Sequence, residues 1–151
     1  METRVTGQSK AQVSREFSKK LLTLAAAGGV AFWIIDFVIS VSPIAAEYKA
    51  AFSISSLPVA LAEALVGGMM IALCVSFFLF RFFDRIPGKK PIFKALILSL
   101  FVMGMIEVFS ALGNPAHASV YLLLDTGMNV PRFLVLGLVI GYLFDKQKGK
   151  V

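Results

Sequence analysis

Tyr121 to Phe144 reads YLLLDTGMNVPRFLVLGLVIGYLF. As a helix, an apolar run of about 20 residues is long enough to cross roughly 30 Å of hydrocarbon, and the polar side chains here collect in its first half, at Asp125, Asn129 and Arg132. Three further stretches have the same length and character: Leu21 to Ser42, Val59 to Phe80 and Ile92 to Leu112. With 58% hydrophobic residues and a mean hydropathy of +0.82, the chain has little else to offer. The expected fold class is therefore all-α: a polytopic membrane protein whose four-transmembrane-helix bundle occupies residues 21–146, between a basic tail at 1–20 and a basic C-terminus at 147–151. A chain of 151 residues leaves no room beside such a bundle for a soluble catalytic domain.

Working outward from the spans, the basic residues set the expected orientation. Arg4, Lys10, Arg15, Lys19 and Lys20 precede the first span. Arg81, Arg85, Lys89, Lys90 and Lys94 border the connection between the second and third, and Lys146, Lys148 and Lys150 follow the fourth. The other two connections hold Lys49 and His117. This positive-inside asymmetry puts both termini and the middle loop in the cytoplasm, in a prokaryotic cell (inner) membrane. The net charge of +6 then reads as a topology signal, with the basic borders drawn to anionic lipid headgroups. It does not read as a nucleic-acid surface, which would need basic residues clustered with stacking aromatics on a folded face.

A cleaved signal peptide is the rival reading of the first span, since Ala45 and Ala46 supply small residues after it. The apolar run is too long for that, its basic prelude too extended, and Asp36 interrupts it. Glu2 and Glu16 argue against a transit peptide. The lone Cys74 lies mid-span and can form no internal disulfide.

Between the spans, Ile44, Tyr48 and Phe52 are spaced for a short helix lying on the outer surface. The sequence Ile86-Pro87-Gly88-Lys89-Lys90-Pro91 is a tight turn that stops the second helix and starts the third. The tail before Lys20 is polar and expected to be mobile, although Val13 and Phe17 at helical spacing point to an early helix start. The halves also align as two tandem two-helix hairpins: Phe83-Asp84-Arg85 with Phe144-Asp145-Lys146, Glu63 with Asp125, Lys20 with Lys94, and Asp36 with Glu107. The competing explanation is that any helix ending on the cytoplasmic side finishes in aromatic and basic residues.

Each span carries one carboxylate: Asp36, Glu63, Glu107 and Asp125. Helical rise puts all four on the order of 20 to 28 Å from the basic ends of their helices, in the outer third of the bilayer. Near the interface a carboxylate can snorkel to water, but the residues beside these acids suggest inward faces. Gly29, Trp33, Asp36 and Ser40 form one stripe, Ala60, Glu63 and Gly67 another, Gly104, Glu107, Ser110 and Asn114 a third, and Asp125, Asn129 and Arg132 the last. The four acids are thus expected to face one another, with Arg132, the one cation deep in a span, neutralising Asp125 from roughly 10 Å below it. Pro131 is expected to kink or unwind the fourth helix between Gly127 and Val130.

Other motifs point elsewhere with less force. Asp125-Thr126-Gly127 has the triplet of aspartic proteases, but it opens a transmembrane helix and has no second copy. His117 reads as a solvated loop residue rather than a metal ligand. Gly137 and Gly141, like the Ala60, Ala64, Gly68, Ala72 series, are helix-packing motifs, within the bundle or between protomers. The chain is expected not to be an enzyme. The expected function is a cation- or proton-linked transporter or channel with Asp36, Glu63, Glu107, Asp125, Asn129 and Arg132 as the ligand- or ion-binding set; the alternative is a non-catalytic accessory subunit or assembly factor of a larger membrane complex.

Overall fold

The computed structural model describes residues 3–43, 45–46, 56–113, 115 and 118–148. It is all-helical: α1 (Thr3–Ser40), α2 (Leu57–Phe82) ending in a 3-10 turn (Phe83–Arg85), α3 (Pro91–Gly113) and α4 (Ala118–Lys148). All four are long and apolar enough to cross a membrane. The surface helix expected around Tyr48 and most of the last outer loop, including Asn114 and His117, lie outside the described residues.

Local sequence explains the ends. Pro58 and Pro91 occupy the first turns of α2 and α3, where the missing N–H removes nothing that a helix needs. Between them Gly88 takes a φ of 119°, a left-handed backbone that other residues adopt only under strain, and the chain reverses there. The tail expected to be mobile is helical from Thr3, continuous with the first span. Its Gln, Lys, Arg, Ala and Glu residues are good helix formers, and Phe17 meets Phe80 edge-on with ring centroids 5.3 Å apart, tying the entry of α1 to the end of α2.

The main contacts pair α1 with α2 and α3 with α4; α1 against α4 joins the two pairs, while α2 touches α3 more sparsely. Glycine sets the closest approaches. A Cβ on Gly141 would stand 2.5 Å from the Ile92 Cα, and one on Gly137 would stand 3.0 Å from the Leu96 Cα, so α4 rides directly on the α3 backbone. On the other pair, a Cβ on Gly68 would meet the Phe32 ring at 2.8 Å. Both small-residue motifs therefore pack within the bundle.

The interior is layered along the helix axes. Near the acidic end lie Asp36, Glu107 and Asn129, all buried. Next comes an apolar layer containing Phe32, Ala72, Val75, Phe133, Leu136 and Ile140, in which Phe32 and Phe133 meet edge-on with centroids 5.4 Å apart. At the basic end Phe80, Phe83 and Phe144 close the bundle, Phe144 lying 4.8 Å from Phe80 and stacked on Phe83 at 5.2 Å. Outside, large apolar side chains are exposed on every helix, among them Ile34, Met70, Phe101, Phe109 and Tyr142.

Candidate functional site

The buried polar groups form one connected network across three helices. Arg132 of α4 reaches α1, where its Nη2 lies 2.5 Å from Asp36 Oδ1. Its Nη1 donates to Asn129 Oδ1 at 2.8 Å, one turn away on the same helix face. Asn129 Nδ2 in turn donates to Glu107 Oε1 of α3 at 2.7 Å. The amide is thereby oriented, its oxygen toward the cation and its nitrogen toward the carboxylate. Asp125 lies one turn beyond Asn129 on α4 and is close enough to Glu107 for their charges to repel, and Ser40 lies one turn beyond Asp36 on α1.

The composition of this network fixes its charge problem. Asp36 and Arg132 neutralise each other at close range, both side chains being nearly buried at 7% and 12% exposure. Glu107 and Asp125 are left with an amide and no cation in contact among the described residues. Arg132 is engaged with Asp36 and Asn129, so the charges of Glu107 and Asp125 have no compensating group in contact among the described residues. The pair forms a carboxyl dyad that can accept a proton or a cation. Arg132 Nε finds no acceptor, an orphaned buried donor beside the ion pair.

The structure places the expected residues unevenly. Asp36, Glu107, Asp125, Asn129 and Arg132 come together; Glu63 does not, and lies exposed on the outside of α2. Two stripes of small residues compete on α2, and packing takes the one through Gly68 and Ala72, which turns the Glu63–Gly67 stripe outward; nothing lies within 4 Å of a Cβ placed on Gly67. The expected pairing of Arg132 with Asp125 is also replaced. The guanidinium crosses to Asp36 because α1 and α4 are packed neighbours, whereas Asp125 sits higher on Arg132's own helix. Of the kink or local unwinding expected at Pro131, the unwinding does not occur: α4 runs from Ala118 to Lys148 as one helix through it.

Two features escaped the sequence reading. Trp33 Nε1 donates to the Leu61 carbonyl at 3.0 Å, cross-linking α1 to α2 beside the polar layer. Lys94, read as a border residue, is buried and donates to the Phe83 carbonyl at 2.6 Å, capping the end of α2. Among the described residues no group of three or more His, Cys, Asp or Glu side chains is arranged to hold a metal ion. Comparison with protein-family models, curated proteins and solved structures finds no match to this chain.

Proposed function

We propose that the chain is an integral membrane protein that binds and moves protons, or cations in exchange for them, through the carboxyl dyad of Glu107 and Asp125. Insertion in a bilayer is supported by four apolar helices with large apolar side chains outside and the ion pair inside, the reverse of a water-soluble protein. The positive-inside asymmetry supports cytoplasmic termini and an acidic site in the outer half. The matching α1/α2 and α3/α4 pairs, with Phe83 and Phe144 stacked where the halves meet, support the reading as two tandem hairpins.

The observation that carries the functional reading is the division of labour within the network. Arg132 pairs with one acid, Asp36, while Glu107 and Asp125 have no cation in contact among the described residues, which leaves them available to take up a proton or a cation. A site built only for stability would pair its charges or omit them. Asn129 couples the two parts: a change in charge on Glu107 is felt by the Arg132–Asp36 pair through one amide. Reconstitution into vesicles carrying an internal pH dye tests the proposal. Imposed potassium-diffusion potentials drive proton movement in the wild type, and Glu107→Gln and Asp125→Asn abolish it; flux that is unchanged in both variants, or indistinguishable from empty vesicles, refutes it.

One observation favours the accessory-subunit reading. Glu63 places a carboxylate on an otherwise apolar outer face, where a basic residue of a neighbouring membrane helix would satisfy it. Purification in mild detergent followed by mass spectrometry decides between the two, since a stoichiometric partner lost on Glu63→Gln supports the subunit role.

A further inference from the structure

The basic end of the bundle contains a second site, unconnected to the carboxyl network. Lys20 at the entry of the first span, Phe80 near the end of α2, and Phe144, Gln147 and Lys148 at the end of α4 line a cavity of about 250 Å³. Its aromatic floor is fixed by the stacked Phe83 and Phe144 rings and by Phe80 against Phe144.

Two ammonium groups meet at the Phe83 ring, and a third lysine lines the cavity beside it. Lys148 Nζ lies 3.4 Å from the Phe83 ring centroid and 5.3 Å from that of Phe144; Lys94 Nζ lies 4.0 Å from the same Phe83 centroid; and Lys20 lines the cavity wall. None of them has a carboxylate within ion-pair distance among the described residues. Like charges gathered around one ring repel, and their π contacts offset only part of that repulsion. The arrangement lacks an anion. Gln147 also lines the cavity, and its buried Oε1 has no hydrogen-bond partner. A separate apolar groove of about 310 Å³ is lined by Leu21, the next residue of α1, together with Leu73, Cys74, Phe77 and Phe78.

We propose that this cavity binds the headgroup of an anionic phospholipid whose polar part carries hydroxyl groups, as in a phosphoglycerol lipid. The phosphodiester lies between the Lys20 and Lys148 ammonium groups, a headgroup hydroxyl donates to Gln147 Oε1, and an acyl chain follows the groove from Leu21 to Phe77. The groove distinguishes a lipid from a free phosphate, and the orphan acceptor distinguishes a hydroxylated headgroup from a bare phosphodiester. Basic pockets between helices on the cytoplasmic side are suited to such headgroups. The site requires insertion in a bilayer but not proton movement, so it stands or falls separately from the dyad.

Native mass spectrometry of the full chain tests it, with phosphatidylglycerol, phosphatidylethanol, phosphatidylcholine and inorganic phosphate as probes. Phosphatidylglycerol is expected to be retained most strongly, ahead of phosphatidylethanol, which has the same charge and no headgroup hydroxyl. Lys20→Gln with Lys148→Gln should weaken phosphatidylglycerol binding about 25-fold, each border lysine contributing about fivefold. Lys89→Gln with Lys90→Gln, an equal loss of charge in the exposed turn, should leave it unchanged. Gln147→Leu should erase the preference for phosphatidylglycerol over phosphatidylethanol while keeping both above phosphatidylcholine, a readout that does not depend on the double lysine variant folding. Equal losses in the two lysine pairs would reduce the site to nonspecific border attraction and overturn the proposal. Displacement of lipid by millimolar inorganic phosphate, or a lipid preference indifferent to Gln147, would overturn it as well.

Discussion

Removing Arg132 should damage the fold more than removing any acid except Asp36, and the two losses should not add. In Arg132→Leu, Asp36 remains at 7% side-chain exposure with no counter-ion, and Asn129 loses its donor. Stranding one partner of a buried pair costs about 3–5 kcal/mol, and the charge-assisted bond to Asn129 adds about 1.5–3 kcal/mol. Asp36→Leu strands the guanidinium instead and should cost a similar 3–5 kcal/mol or so. The double variant replaces a buried pair with apolar groups in an already apolar surround, so it should recover at least about 2 kcal/mol relative to the sum of the single losses. Equilibrium unfolding in mixed micelles, followed by the fluorescence of Trp33, measures all four corners of the cycle. The same cycle with Asp125→Asn in place of Asp36→Leu should show the weaker coupling. Additivity between Arg132 and Asp36, or stronger coupling to Asp125, would refute the assignment of the pair.

Four further outcomes follow from the geometry. Infrared spectra of the wild type near neutral pH should show a protonated carboxyl band that is lost in both Glu107→Gln and Asp125→Asn, while Glu63→Gln leaves it in place. Gly141→Ala places a Cβ against the Ile92 backbone and should destabilise by about 1–3 kcal/mol in the same unfolding assay, whereas Gly104→Ala and Gly127→Ala meet nothing and should be neutral or stabilising by up to about 1 kcal/mol. Glu63→Gln should alter the stability of the isolated protein by no more than about 0.5 kcal/mol, because its side chain is exposed and outside the network. In a Cys74→Ser background, cysteine at Ser119 should react with an impermeant reagent in intact cells and cysteine at Gly88 should react only after lysis; the reverse pattern would invert the orientation.

How legible these features were in the sequence depended on which coordinate they needed. Position along a helix axis is nearly free information, because the rise per residue is constant. The spans beginning near Val59 and Ile92, and the reversal at Gly88, appear in the structure within a few residues of their expected places. The common depth of Asp36, Glu107 and Asp125 was readable for the same reason. Rotation about the axis was readable only where one face was unambiguous. On α4, Asp125, Asn129 and Arg132 leave no doubt which side is polar; on α2, Glu63 stood beside one small-residue stripe while a second, through Gly68, made the contacts. The order of helices around the bundle was not encoded in any single segment. The sequence therefore points Arg132 to the acid on its own helix, whereas the adjacency of α1 and α4 brings Asp36 to it. The Gly137 and Gly141 spacing, by contrast, carries its own geometry, since two missing side chains on one face only make sense against a close neighbour.

The apolar layer between the carboxyl network and the lysine-rich end has an electrical meaning. Between the Phe32–Phe133 level and the buried Lys94, whose ammonium lies at the Phe83 ring, the core contains no ionised side chain among the described residues over roughly 10 Å, about a third of the hydrocarbon thickness. In an energised bilayer the voltage falls mainly across such an insulating slab, while the regions holding polar groups on either side lie closer to the potentials of their adjoining solutions. A full traverse of 100 mV is worth about 2.3 kcal/mol per elementary charge, and most of that work is concentrated between Phe32 and Phe144. Occupation of the dyad from the acidic side would respond weakly to membrane potential, whereas passage beyond Phe133 would be steeply voltage-dependent. On the proposed bilayer reading, the bundle would behave as a capacitor with its charge-binding plate near one face.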